Sequence, residues 1–256
     1  LSSDMFLGCT SLVGAIKYDP SKTNANYATI DGYFSIKGSE TKPKVAYVVY
    51  TDADNTLKFK YGEIPTEGEG ITVYDIPDVS SSPGWNSQAS SITTVVFDES
   101  FKDARPTRCY AWFNNCTSLT TINGIENLNT ENVEDMRYMF NKCSLLSTLD
   151  LSGFNTAKVE SMSFMFQDCS QLTTIYASSN FITSAVEQSY GMFTGCTSLA
   201  GALKYDSSKT DANYANTIDG YFSIKGYVVY TDADNTLTFM YGEKHTGGEG
   251  ITVYDI

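Results

Sequence analysis

Histidine is almost missing from this chain, with His245 its only representative. That rules out most histidine-dependent catalysis and nearly every histidine-based zinc site. Basic charge is scarce as well. The sequence carries 17 Lys plus Arg against 30 Asp plus Glu, a net charge of -13, so the clustered cations that neutralise phosphate are lacking. The densest basic stretch, Lys37 to Lys44, is interrupted by Glu40. Nucleic acid and anionic membrane surfaces are therefore poor partners. No run approaches the eighteen or so apolar residues of a spanning helix, so this segment is not expected to insert into a membrane. The opening LSSDMFLGCTSL has neither the basic head nor the apolar core of a signal peptide, and reads as part of a longer protein. With only 6 Pro but 18 Tyr and 14 Phe, and frequent Thr and Gly, composition favours β structure.

What the chain does have is repetition at two periods. The short one is carried by FNNCTSLTTI from Phe113, FNKCSLLSTL from Phe140, FQDCSQLTTI from Phe166 and FTGCTSLAGAL from Phe193, spaced 27, 26 and 27 residues apart. Several phases repeat together: Leu119, Leu146, Leu172 and Leu199; Ile122, Leu149 and Ile175; Val133, Val159 and Val186; Met139, Met165 and Met192. Extending the columns backwards lands on Ile92 and Phe101, which places a degenerate first rung near Ile92.

Within a rung, LSTLDL alternates Leu149 and Leu151 with Thr148 and Asp150, the signature of a strand with one buried face. The remainder, FNTAKVESMSFMF, spaces its apolar residues 3 to 5 apart, which suits turns and short helical pieces. One such rung cannot bury enough apolar surface to fold alone. Stacked neighbours supply the missing burial, which predicts a solenoid whose strands run parallel, each beside its equivalent in the next turn. Cys116, Cys143, Cys169 and Cys196 occupy one column. Strand neighbours lie about 4.8 Å apart, too far for the Cβ approach of a disulfide, so a buried ladder of free thiols is expected. No metal is expected there, because CxxC spacing is absent.

The long period relates residues 5–76 to 192–256, with 54 identities in 64 aligned pairs; the second copy gains Asn216 and lacks SETKPKVA, Ser39 to Ala46. This divides the chain into the C-terminal part of one cassette (1–46), a complete cassette (47–226) and the N-terminal cap of a following one (227–256). Within the complete cassette, residues 47–91 are an N-terminal β cap and loop, 92–204 the leucine-rich repeats and 205–226 a C-terminal cap. YVVYTDADNTLKFKYG predicts a β-hairpin turning at Asp52 to Asn55, GITVYDI a third strand, and PDVSSSPGWNSQASS a loop.

The rung CSLLSTLDLSGFNTAKVESMSFMF resembles the bacterial surface protein 26-residue repeat of the BspA-type leucine-rich-repeat proteins, over Ile92 to about Leu203. The resemblance implies a mainly β, right-handed leucine-rich-repeat solenoid with parallel strands, short helical turns and β-hairpin caps. It also implies a secreted or surface-anchored protein with non-enzymatic roles in adhesion and host-protein binding. It carries no catalytic motif. One departure concerns Asn129 and Asn155, replaced by Ile182 in the third rung, where an irregular turn is expected.

Other candidate chemistry is slight. Asp52, Asp54 and Asn55, repeated as Asp232, Asp234 and Asn235, resemble the opening of a calcium loop but lack its glycine and distal glutamate, so a hairpin turn is the better reading. Asn115, Cys116 and Thr117 spell a glycosylation acceptor, but its cysteine sits in the core column. Neither a catalytic site nor a cofactor is expected. The expected binding face is the outward strand surface of Thr121, Asn123, Thr148, Asp150, Thr174 and Tyr176. Tyr205, Tyr214 and Tyr221 form a second candidate, expected mostly to pack the cap. The function expected is a non-enzymatic bacterial surface protein acting in adhesion or protein binding, on host or neighbouring-cell proteins. The alternative is a tandem building block of an extended surface fibre, associating with itself through cassette ends.

Overall fold

A computed structural model describes residues 43–65, 68–77, 81–231, 236–241 and 251–255. The chain divides into two compact units: residues 1–45 with 62–65, and residues 46–61 with 66–256. Nearly all described residues belong to the second, which is mainly β with short 3-10 turns.

A five-stranded sheet has the order β3-β1-β2-β4-β5. Its members are β1 (Val45–Thr51), β2 (Thr56–Gly62), β3 (Ile71–Asp75), β4 (Thr94–Phe97) and β5 (Thr121–Asn123). β1 and β3 are antiparallel. β2 then meets β4 in parallel, Leu57 beside Val95 and Phe59 beside Phe97, and β4 meets β5 in parallel, Thr94 beside Thr121. Alternation decides which face is inside: Leu57, Phe59, Val95 and Phe97 are buried, whereas Lys58, Thr94 and Val96 stay partly open. A second sheet joins β6 (Thr148–Leu151), β7 (Thr174–Ala177) and β8 (Phe222–Ser223), all parallel. The strand ladder is therefore interrupted. β5 ends after three residues at Gly124, whose backbone is left-handed with φ 70°, and β5 and β6 lie in different sheets.

The turns are joined on another side by a more regular ladder. The N–H groups of Cys109, Ala111, Phe113 and Asn115 donate to the carbonyls of Asp135, Arg137, Met139 and Asn141, each at 2.9 Å. Met136, Tyr138, Phe140 and Lys142 do the same to Ser161, Ser163, Met165 and Gln167. Met162, Phe164, Phe166 and Asp168 then donate to Gln188, Tyr190, Met192 and Thr194. Two left-handed residues recur in each of these segments: Ala111 and Asn115, Tyr138 and Lys142, Phe164 and Asp168, Gly191 and Gly195. Only the last pair are glycines. A left-handed L-residue costs roughly 1–2 kcal/mol, and four inter-turn hydrogen bonds per rung hold the others there.

Between these ladders lies one apolar cluster. The leucine column, Leu119, Leu146, Leu172 and Leu199, is at most 1% exposed, and Cys116, Cys143, Cys169 and Cys196 are fully buried. Phe113, Phe140, Phe166 and Phe193 run through it as a chain of rings, with centroids 5.4, 5.8 and 5.5 Å apart. The hairpin covers one end through Phe59, which stacks on Phe97 (4.6 Å) and Trp112 (5.0 Å) and meets Trp85, Phe101 and Phe113 edge-on.

The segment expected to be a plain loop before the first rung contains a 3-10 helix, Gly84–Ser91. Trp85 explains it: the ring is fully buried and its Nε1–H donates to the Trp112 carbonyl at 2.6 Å. The turn at Ile182 keeps its inter-turn bridge, since Ile182 N–H donates to Thr156 Oγ1 at 2.7 Å and Thr156 Oγ1 donates back to the Ile182 carbonyl. What it loses is the local turn in which Asn129 and Asn155 accept from Glu131 and Ala157 N–H; Ile182 is 39% exposed.

Candidate binding face

Alternation on β4 to β7 turns one set of side chains away from the core. Thr148 stands beside Thr174 and Asp150 beside Tyr176, while Tyr176 stands beside Ser223. Thr121 and Asn123 project from β5, next to Thr94 and Val96. The six expected face residues thus fall into two strips, one on each sheet. Thr121, Asn123 and Thr148 are exposed, and Asp150, Thr174 and Tyr176 are half-buried.

Asp150 is already engaged. Ser152 donates to it through both N–H (3.0 Å) and hydroxyl (2.5 Å), and Lys225 Nζ lies 2.9 Å from its other oxygen. Burial pushes this carboxyl up, but the Ser152 and Lys225 donors outweigh it, leaving it below the usual carboxylate range. Lys225 was not among the residues expected at this face. Its contact spans 75 residues of sequence, and nothing in a local pattern marks it.

Away from the strands, Asp135 is buried and holds Arg137 in a fork, Nε to Oδ1 at 3.0 Å and Nη2 to Oδ2 at 2.7 Å, with Arg108 3.5 Å away. Arg137 also lies over the Tyr110 ring at 5.1 Å. From there an aromatic row continues: Tyr110 to Tyr138 at 5.9 Å, Tyr138 to Phe164 at 4.9 Å and Phe164 to Tyr190 at 5.3 Å. It ends at Tyr190, which is 77% exposed. The row does not stand out as one column because Tyr138 and Phe164 share a phase with Ala111 and Gly191, whereas Tyr110 and Tyr190 stand one position earlier. A shallow groove nearby, about 530 Å³, is lined by Glu134, Lys158, Glu160, Val186 and Glu187.

The cap tyrosines pack. Tyr221 is fully buried, its hydroxyl accepting from Asp206 N–H at 2.9 Å, and Tyr205 Oη accepts from Gly195 N–H at 3.1 Å. At the Asp52–Asn55 turn the acceptors serve the hairpin. Asp54 Oδ1 takes Thr56 N–H, Asn55 Oδ1 takes the Tyr50 hydroxyl, and Asn55 is left-handed. Asp232, Asp234, Asn235 and His245 lie outside the described residues. Cys109, Cys116, Cys143, Cys169 and Cys196 are free and buried, and among the described residues no cluster of three metal-ligating side chains occurs. No helix among the described residues is long and apolar enough to cross a membrane.

These features define a mainly β protein of stacked, sequence-related turns. Residues 107–226 match the profile of a family described as Mycoplasma protein of unknown function, DUF285. No curated protein matches the chain. Among solved structures it is similar to a leucine rich cell surface protein from Faecalibacterium prausnitzii A2-165, with 19% identity and a TM-score of 0.26, over 64% of this chain and 55% of that one. The chain thus spans little more than half the length of that protein.

Proposed function

We propose that the chain is a BspA-type, right-handed leucine-rich-repeat solenoid acting without catalysis at the bacterial cell surface, in adhesion or protein binding. The observation that carries this reading is the parallel register. Thr94 with Thr121, and Thr148 with Thr174, are partners one repeat apart, so the outward residues of successive rungs form largely polar strips over a buried spine. Such strips suit a protein surface better than a small molecule. The partners are host or neighbouring-cell proteins, and no cofactor is required. Immobilised extracellular-matrix and bacterial surface proteins should retain the chain, and retention should weaken when Asn123 and Tyr176 are replaced by alanine. Absence of retention across a broad panel would count against this function.

A second reading is favoured by one specific observation: Gly226–Thr231, Thr236–Tyr241 and Ile251–Asp255 form an antiparallel sheet from a near-copy of the sequence that builds the first hairpin. In that reading residues 1–46, 47–226 and 227–256 belong to successive cassettes that stack into an extended surface fibre. Electron microscopy of a tandem product decides it, filaments or rods supporting the fibre and compact particles overturning it.

A further inference from the structure

The two hairpins are nearly the same sequence in different surroundings. β9 (Gly226–Thr231), β10 (Thr236–Tyr241) and β11 (Ile251–Asp255) form a sheet of order β10-β9-β11, so among the described residues β10 is an edge. Its counterpart β2 is not an edge, because β4 pairs with it in parallel. Thr93 N–H donates to the Asn55 carbonyl at 3.1 Å and Asp98 N–H to the Phe59 carbonyl at 3.0 Å. The same leucine responds accordingly. Leu57 is fully buried, while its counterpart Leu237 is 61% exposed, with Thr238 exposed beside it. An exposed strand edge carrying an open leucine is a template for another strand.

We propose that β10 is the acceptor edge for a rung-opening strand of the sequence type Ile92–Phe97, supplied by a further copy of this protein's own cassette and docked parallel in the register seen between β2 and β4. Leu237 and Phe239 then occupy the places of Leu57 and Phe59. The occupant is specified by the first copy, where ITTVVF fills this position and presents Val95 and Phe97 to the hairpin. The substitutions between the two strands, Lys58 to Thr238 and Lys60 to Met240, spare both inward positions.

This deepens the building-block reading and rests on it for the origin of the strand. Hydrogen exchange tests it by comparing the chain itself with a variant in which residues 77–226 are repeated after Ile256. The expected result is exchange at the Leu237 and Phe239 amides slowed at least about tenfold, towards the rates of Leu57 and Phe59. Unchanged exchange would overturn the proposal. In the extended chain, Leu237→Asp should abolish the slowing while the Val228 and Val229 amides stay protected, which shows that the hairpin remains folded. Slowing that survives Leu237→Asp overturns the side-chain docking. Filaments without slowing would reject this contact alone, and slowing in a compact particle would reject the fibre alone.

Discussion

The Cys143 thiol donates to the carbonyl oxygen of Phe113 at 3.2 Å, one turn earlier in the chain. Cys169 repeats the contact to Phe140 at 3.0 Å and Cys196 to Phe166 at 2.9 Å. The column is therefore held by more than size: each thiol is a small apolar group that also supplies a weak donor to a carbonyl of the preceding turn.

Replacing Cys143 or Cys169 with alanine should destabilise the protein by about 2 kcal/mol, from lost volume and an unpaired buried carbonyl. Urea unfolding measures it. A midpoint unchanged within error would remove the donor role.

Burial pushes Cys116 and Cys196 up to about 12, and Cys109, Cys143 and Cys169 well above the ordinary thiol range. Unfolded thiols ionise near pH 8.5–9. The unfolded state thus loses protons first, and the stability these groups contribute is complete below about pH 9 and falls as pH rises towards 12, by up to about 1.4 kcal/mol per unit for each thiol. Urea midpoints between pH 8 and 10.5 should fall. The same five thiols should resist iodoacetamide until the chain unfolds, and prompt labelling in the native state would contradict the ladder.

At Lys142, φ is 59° and the side chain is exposed, so Lys142→Gly should relieve strain and be neutral to about 1 kcal/mol stabilising. Gly124→Ala should do the opposite and cost at least about 2 kcal/mol. Its φ is 70° and an added Cβ would meet the Phe97 carbonyl oxygen at 2.3 Å. Thermal melts of both variants check the pair, and equal shifts would show that these dihedrals are not limiting.

Asp150→Asn should loosen the segment carrying Lys225. Both side chains are about one-third exposed, so the loss is about 0.5–1 kcal/mol after allowing for solvent screening. Because the folded carboxyl is lowered, its contribution is present above the unfolded value near 3.9 and lost as pH falls through the folded one. Wild type and variant should therefore converge in stability once the pH falls below the carboxyl's lowered folded value. A gap that persists there would assign the effect to packing.

Much of the core is visible in the residues themselves, because burial in stacked turns demands the same polarity at the same phase every 26 or 27 positions. Leu146, Met139 and Phe154 announce their places in this way and are buried. The binding face is less visible. Small polar residues such as Thr148 and Thr174 are equally what any solvated strand needs, so their pattern marks a surface without marking a use. Left-handed Tyr138 and Phe164 are invisible for a different reason: their side chains disfavour that backbone, and in their column only Gly191 signals it.

Taken alone, the amino-acid order determined the periods, the inward and outward faces of each strand and the near-identity of the two hairpins, since these follow from side-chain polarity along the chain. Tertiary structure decided the break between β5 and β6, the Lys225 contact with Asp150, the aromatic row from Tyr110 to Tyr190 and the different fates of Leu57 and Leu237. These depend on which segments meet across tens of residues, and two nearly identical sequences differ when, among the described residues, one strand has neighbours on both sides and the other on one.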